Sequence, residues 1–273
     1  MRRFVIPALV VTLTLTVFCP VATAQNRGGG NGGGQGNGGN GNAGNTCGAM
    51  LIEHLDTLPV ETLSAGEVAD ITFLREEEKL ARDVYATLAL NYSIPIFSNI
   101  ARAEQRHMDF VAELLERHGI TDPVSDDSIG VFTDPEIGDL YTGLVAAGES
   151  SLEQALLVGA TIEDMDIADL NAMIADATSL DVAFIGHNLA SGSRNHLRGF
   201  ARALAASGYA PYAAQYLDQD EVDSIIASGR EGGVVYDEYG DVLATCSNEN
   251  GGGNGRGGDR RRGPGGESCP NAS

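Results

Sequence analysis

Between Phe73 and Leu115 the chain reads FLREEEKLARDVYATLALNYSIPIFSNIARAEQRHMDFVAELL. Apolar residues recur at helical spacing on both sides of a break at Asn91-Tyr92-Ser93-Ile94-Pro95. The pattern predicts one helix from about Glu67 to Ala89, opened by Ser64-Ala65-Gly66-Glu67, which has the form of a capping box. A second starts at Pro95, suited to a first helical turn, and runs to about His118, where Gly119 stops it. Ile120–Thr133 is polar and turn-rich, a connection across the surface. Asp134-Pro135-Glu136 opens a shorter helix through Leu140, Tyr141, Leu144 and Val145, closed by Gly148. Ser150 or Ser151 caps the third long segment, which is expected to bend or break near Gly159 and continue to Ala177 through Ile167, Leu170 and Ile174. Ser179 or Asp181 starts the fourth, running to Ala206. Gly186, Gly192 and Gly199 fall inside it; each costs roughly 1 kcal/mol against alanine but admits a close neighbour. A short helix follows Asp218, and Val234–Val242 has the pattern of a small hairpin. No other stretch alternates long enough for a strand. The class is all-α, and four long helices predict a bundle.

The ends differ from this middle. Residues 1–24 have the form of a secretory signal peptide: Arg2 and Arg3, an apolar run from Val5 to Phe18, and Ala22-Thr23-Ala24 before Gln25. The apolar run is short for a membrane span, so no insertion is expected after cleavage. Residues 25–45 are almost wholly Gly, Asn and Gln, a flexible linker, and residues 250–273 form a Gly- and Arg-rich tail of the same character. The expected folded domain covers residues 46–249, with its core at about 62–226 and Thr46–Leu63 as a lead-in.

Composition narrows the partners. With 17 basic and 38 acidic side chains, the net charge of −21 argues against nucleic acid or an anionic membrane surface. It suits a soluble secreted protein or one from a salty environment, and with the leader the expected location is secreted, periplasmic or cell-surface. Cys47, Cys246 and Cys269 outlast the leader, and in an oxidising compartment Cys47 and Cys246 are placed to tie the ends of the domain together.

The chemistry lies on faces that the apolar pattern buries. Glu104 and His107 sit three residues apart, between Ile100 and Val111. A step of three turns a helix by about 300°, so both side chains face one pocket. In the first helix Glu77 and Glu78 border the apolar stripe and Glu76 points away. The bland alternative is a surface acid run paired with Arg75, Lys79 and Arg82. Glu163 lies within Ile162-Glu163-Asp164-Met165-Asp166-Ile167, and His196 lies on the fourth helix beside Arg194 and Asn195, which could reach acids across the bundle. Buried charges are costly unless paired or bound to a metal. Carboxylate and imidazole together suit iron, manganese or zinc.

REEEKLARDVY, PIFSNIARAEQRHM, IEDMDIADL, GSRNHLRGF and the trailing Gln215-Tyr216-Leu217 resemble a ferritin-like domain family of unknown function over about Thr62 to Ile226. Glu78 with Tyr85 seven residues on resembles the first-helix motif of rubrerythrins and ferritins, which selects Glu78 over Glu77. The resemblance implies a four-helix bundle with a dinuclear metal site. Its recipe is one Glu from each of two helices and a Glu-x-x-His pair from each of the others. The implied ligands are Glu78, Glu104, His107, Glu163 and His196, and the implied cofactor is two Fe ions, with Mn as the alternative. Oxidase, peroxidase or ferroxidase activity is implied with them. Ser193 stands where the fourth-helix Glu is expected, which leaves Asp166, His187 or water to serve. The competing expectation is a metal-free binding or interaction module that has lost the site.

Overall fold

The computed structural model describes residues 43–246, with side chains from Cys47. The signal peptide, nearly all of the linker, the tail and Cys269 lie outside the described residues. Seven helices and one hairpin follow in order: α1 (Ala43–Leu55), α2 (Ala65–Asn91), α3 (Pro95–Arg117), α4 (Pro135–Gly148), α5 (Leu152–Asp176), α6 (Leu180–Ala206), α7 (Gln219–Ala227), β1 (Val234–Tyr236) and β2 (Val242–Thr245). Among these residues no helix is long and apolar enough to cross a membrane.

The all-α expectation holds. α2 packs along α3 and α5 along α6, while α3–α6 and α2–α5 contacts close the four long helices into a bundle. α4 lies across α2 and α5, and α7 on α6. The hairpin pairs antiparallel, Val235 opposite Ala244, and β1 packs against α1 and α6. A disulfide joins Cys47 on α1 to Cys246 just past β2.

Local signals set most boundaries. Ser64 Oγ accepts the Glu67 amide at 3.2 Å and Glu67 Oε2 accepts the Ser64 amide at 2.8 Å, so the capping box is complete. Ser151 and Asp134 cap α5 and α4 in the same way, through the amides of Gln154 and Glu136. Gly119 turns the chain out of α3 with φ 64°, a conformation that favours glycine.

Two expectations fail. Thr46–Leu63 is not a mere lead-in, because α1 occupies Ala43–Leu55 and buries Leu55 beside Ile71, Leu114 and Phe184. α5 is unbroken at Gly159. A Cβ there would lie 2.3 Å from the Phe200 ring, so the glycine serves helix contact and not a bend. Phe200 is fully buried against Tyr85 and Phe97. Truncating such a residue to alanine costs about 3–5 kcal/mol.

The apolar interior comes in two clusters. One gathers Tyr85, Phe97, Ile100, Leu156, Ile162, Leu197 and Phe200, the other Ile71, Leu74, Val111, Leu170 and Phe184. On every long helix the passage from one cluster to the other crosses polar side chains: Glu77 and Glu78 on α2, Glu104 and His107 on α3, Glu163 and Asp166 on α5, Ser193 and His196 on α6. A polar belt therefore crosses the middle of the bundle.

Candidate metal centre

The five sequence-predicted residues meet in this belt. Glu78, Glu104 and His107 form one group whose ligand atoms all lie within 4.8 Å of one another; Glu104, Glu163 and His196 form a second. Glu104 belongs to both. His107 Nδ1 is 2.7 Å from Glu104 Oε2 and 3.2 Å from Glu78 Oε2. His196 Nδ1 is 2.8 Å from Glu104 Oε1 and 3.4 Å from Glu163 Oε2. The two imidazoles lie nearly parallel, 5.4 Å between centroids. All three glutamates are 2% exposed.

Neighbours hold these groups in place. The Tyr85 hydroxyl donates to Glu163 Oε1 at 2.5 Å, which fixes that carboxylate from the apolar side. Gly192 on α6 makes room for His107: a Cβ there would sit 2.5 Å from its Nε2. Ser193 is turned inward and donates to Asp166 Oδ2, so the position expected to carry Glu instead anchors an acid on α5.

The electrostatics are those of an excess of acid. Burial pushes the Glu163 carboxyl up to about 7, with the Glu104 charge adding to the effect. Asp166 is driven well above the usual carboxylate range by burial and by Glu78 and Glu163. Burial would raise Glu104 too, but His196 and His107 outweigh it and hold Glu104 far below its ordinary value. Burial would lower His196, yet Glu104 and Glu163 push it up to about 10. Positive charge is wanted here.

The donor set fits a metal pair. Among the described residues, Glu78 Oε1, Glu104 Oε1, Asp166 Oδ1 and His196 Nδ1 are buried without a partner in hydrogen-bond geometry. His196 Nδ1 nevertheless approaches Glu104 Oε1 to 2.8 Å, an arrangement that two ligands of one cation would also have. Such atoms are satisfied by a cation placed among them. Four carboxylates, from Glu78, Glu104, Glu163 and Asp166, balance the charge of two divalent ions.

A model of the uncharacterized protein domain family DUF2202 matches residues 67–229, a span that contains every residue of the belt. The chain belongs to that family. The uncharacterized protein MJ0754 of Methanocaldococcus jannaschii is 47% identical over 184 residues, covering 67% of this chain and 99% of its own. The crystal structure of the hypothetical protein MJ0754 from Methanococcus jannaschii is similar with a TM-score of 0.63 at 48% identity, covering 64% of this chain and 99% of that one.

Five details of this DUF2202 domain escape its sequence. Glu76 does not face away into solvent: it is 4% exposed and accepts the amides of Thr133 and Asp134 at the start of α4. The acid run is not paired with the nearby cations. Arg75 bonds Asp122, Lys79 bonds Asp83, and Arg82 bonds Asp83 and Asp127. His187 lies against the hairpin turn at Gly240 and belongs to neither Glu/Glu/His group. Arg194 bonds Glu231 rather than acids of the belt. Asp169 went unnoticed, although its step of three from Asp166 was a usable signal. Its role depends on Glu77, whose inward direction the helical wheel left open.

Proposed function

We propose that this protein is a secreted, ferritin-like metal protein that binds two iron ions in the polar belt, with manganese as the alternative. Glu78, Glu104, His107, Glu163 and His196 would hold them. The observation that carries the reading is the pair of Glu/Glu/His groups sharing Glu104, which together draw on four helices and bury all three glutamates. Glu104, which belongs to both groups, would serve both ions, with Glu78 and His107 for one and Glu163 and His196 for the other. Asp166, steadied by Ser193, is the available substitute for the missing fourth-helix Glu. Paired iron would supply electrons to oxygen or peroxide, giving oxidase, peroxidase or ferroxidase chemistry. The protein's own part is to exclude water with the two apolar clusters and to fix Glu163 through Tyr85.

Elemental analysis of protein purified without chelator tests the reading, beside Glu104→Gln/His107→Ala. About two equivalents of iron or manganese, lost in the variant, support it and lead to assays of ferrous oxidation and peroxide consumption. Metal-free protein that takes up neither ion on reconstitution overturns it. One observation favours a second reading: Ser193 removes a carboxylate from the expected set. On that reading the bundle is a metal-free interaction module, and the same reconstitution decides between them.

A further inference from the structure

Next to the belt, between α2 and α5, lies a second group of acids that the five candidate ligands do not use. Glu77 is 2% exposed, and among the described residues its carboxylate oxygens meet no N–H or hydroxyl donor, only the Asp169 carboxyl, which lies close enough to share a proton with it. The groups that face it are themselves acids: Asp169, Asp166 and Glu78. Glu77 and Asp169 line a cavity of about 10 Å³, with Asp70 on the same wall and Leu74, Leu170 and Met173 closing the rest. That is room for one ion or one water molecule. Asp70 and Asp169 are half-buried, and exposed Asp176 acts on Asp70, so the acids form a series from the surface inward. Asp166 stands where this series meets the central belt; its Oδ1 has no hydrogen-bond partner.

A buried carboxylate without donors, facing other carboxylates, is costly unless a cation or a shared proton joins them. A water would be a poor occupant, because it has two protons to offer and several acceptors to satisfy. We infer that Glu77 and Asp169 form a further site for a divalent cation, separate from the five central ligands and opening toward solvent through Asp70. All-oxygen donors select a hard cation such as Mn²⁺, Mg²⁺ or Ca²⁺, unlike the mixed oxygen and nitrogen set of the belt. A cation held there is one step from Asp166, and the inference rests on the two-metal reading only for that onward direction.

The test uses the full mature chain, stripped with chelator and titrated with Mn²⁺ while free ion is followed by electron paramagnetic resonance. A Glu104→Gln/His107→Ala/His196→Ala variant removes the central ligands, and adding Glu77→Gln to it removes the new site. The expected result is that the triple variant keeps about one equivalent of Mn²⁺ and that Glu77→Gln weakens it by about tenfold or more. Retention that Glu77→Gln does not change overturns the inference, as does complete loss of Mn²⁺ in the triple variant, which would leave a shared proton between Glu77 and Asp169. Failure of the central reading looks different: the triple variant would bind as much Mn²⁺ as the wild type. Circular dichroism confirms the fold in each case.

Discussion

Buried acids in this molecule fall into two regions that differ in one respect. At the rim of the bundle every such acid is surrounded by donors. Asp164 accepts the Tyr212 hydroxyl and the amides of Gln215, Tyr216 and Leu217. Glu67 accepts amides from Ser64, Thr178 and Ser179, tying the start of α2 to the start of α6. Asp181 takes Arg117 and His118. In the central belt, equally buried acids face histidines and one another, and several of their atoms lack any partner. Burial is therefore common to both regions; the supply of donors is what separates them. Glu67 and Asp164 reach amides that no helix ladder uses, Glu67 those of Ser64, Thr178 and Ser179 and Asp164 those of Gln215, Tyr216 and Leu217. Belt acids face the interiors of neighbouring helices, where the backbone offers no donor.

Substitution should separate the two regions. The largest effect is expected at the belt and should spare the fold: Glu104→Gln/His107→Ala abolishes metal retention, read by elemental analysis, while the circular dichroism spectrum stays native. At the rim the order reverses. Asp164→Ala strands three amides and a phenol and should lower stability by about 3 kcal/mol, read by urea denaturation, with metal content per folded molecule unchanged.

Glu67→Gln should cost about 2 kcal/mol through loss of charge-assisted bonds. Its pH dependence sharpens the contrast. Burial would raise the Glu67 carboxyl, but the backbone amides of Ser64, Thr178 and Ser179 outweigh it and bring it down to about 2 from an ordinary 4.5. A carboxyl depressed on folding contributes stability above its unfolded value and loses it as pH falls through the folded one. The wild-type Tm should thus fall between about pH 4.5 and 2 more steeply than that of Glu67→Gln, which has no proton to take up. A match of the two acid limbs would remove Glu67 from the rim account.

Gly192→Ala places a methyl against His107 and should weaken Mn²⁺ or iron binding by about tenfold with a smaller loss of stability, measured by competition with a chelator. The smallest effect is expected for Tyr85→Phe. It leaves the ring packing against Phe200 and removes one hydroxyl, for about 1 kcal/mol. Losing that donor should move the Glu163 carboxyl further above about 7 in the stripped protein, read by carbon-detected NMR.

Much of this architecture was legible because its signals are local. Ser64 with Glu67, Pro95, Gly119 and Ser151 mark helix ends through contacts within a few residues, and the structure places ends there. Glu104 and His107 were legible from their spacing on an amphipathic helix, while the choice of Glu78, Glu163 and His196 beside them came from the resemblance to ferritin-like proteins. What stayed hidden depends on partners far along the chain. Gly159 read as a break until Phe200, on another helix, filled the space beside it. α1 is held by residues of α2, α3 and α6 that lie far from it along the chain. Glu76 and Glu77 stand side by side, yet the first meets the amides at the start of α4 and the second meets acids of α5. No helical wheel of α2 alone distinguishes those two fates.

The disulfide between Cys47 and Cys246 spans 199 residues and encloses nearly all of the described fold. Its consequence is mechanical. Tension that enters ahead of Cys47 and leaves after Cys246 is carried by a covalent sulfur bridge, and the helices between them bear almost none of it. Pulled by its two ends, the oxidised protein should lengthen only by the segments outside the bridge. Once reduced, it should yield helix by helix at far lower force, and the polar belt would come apart with them.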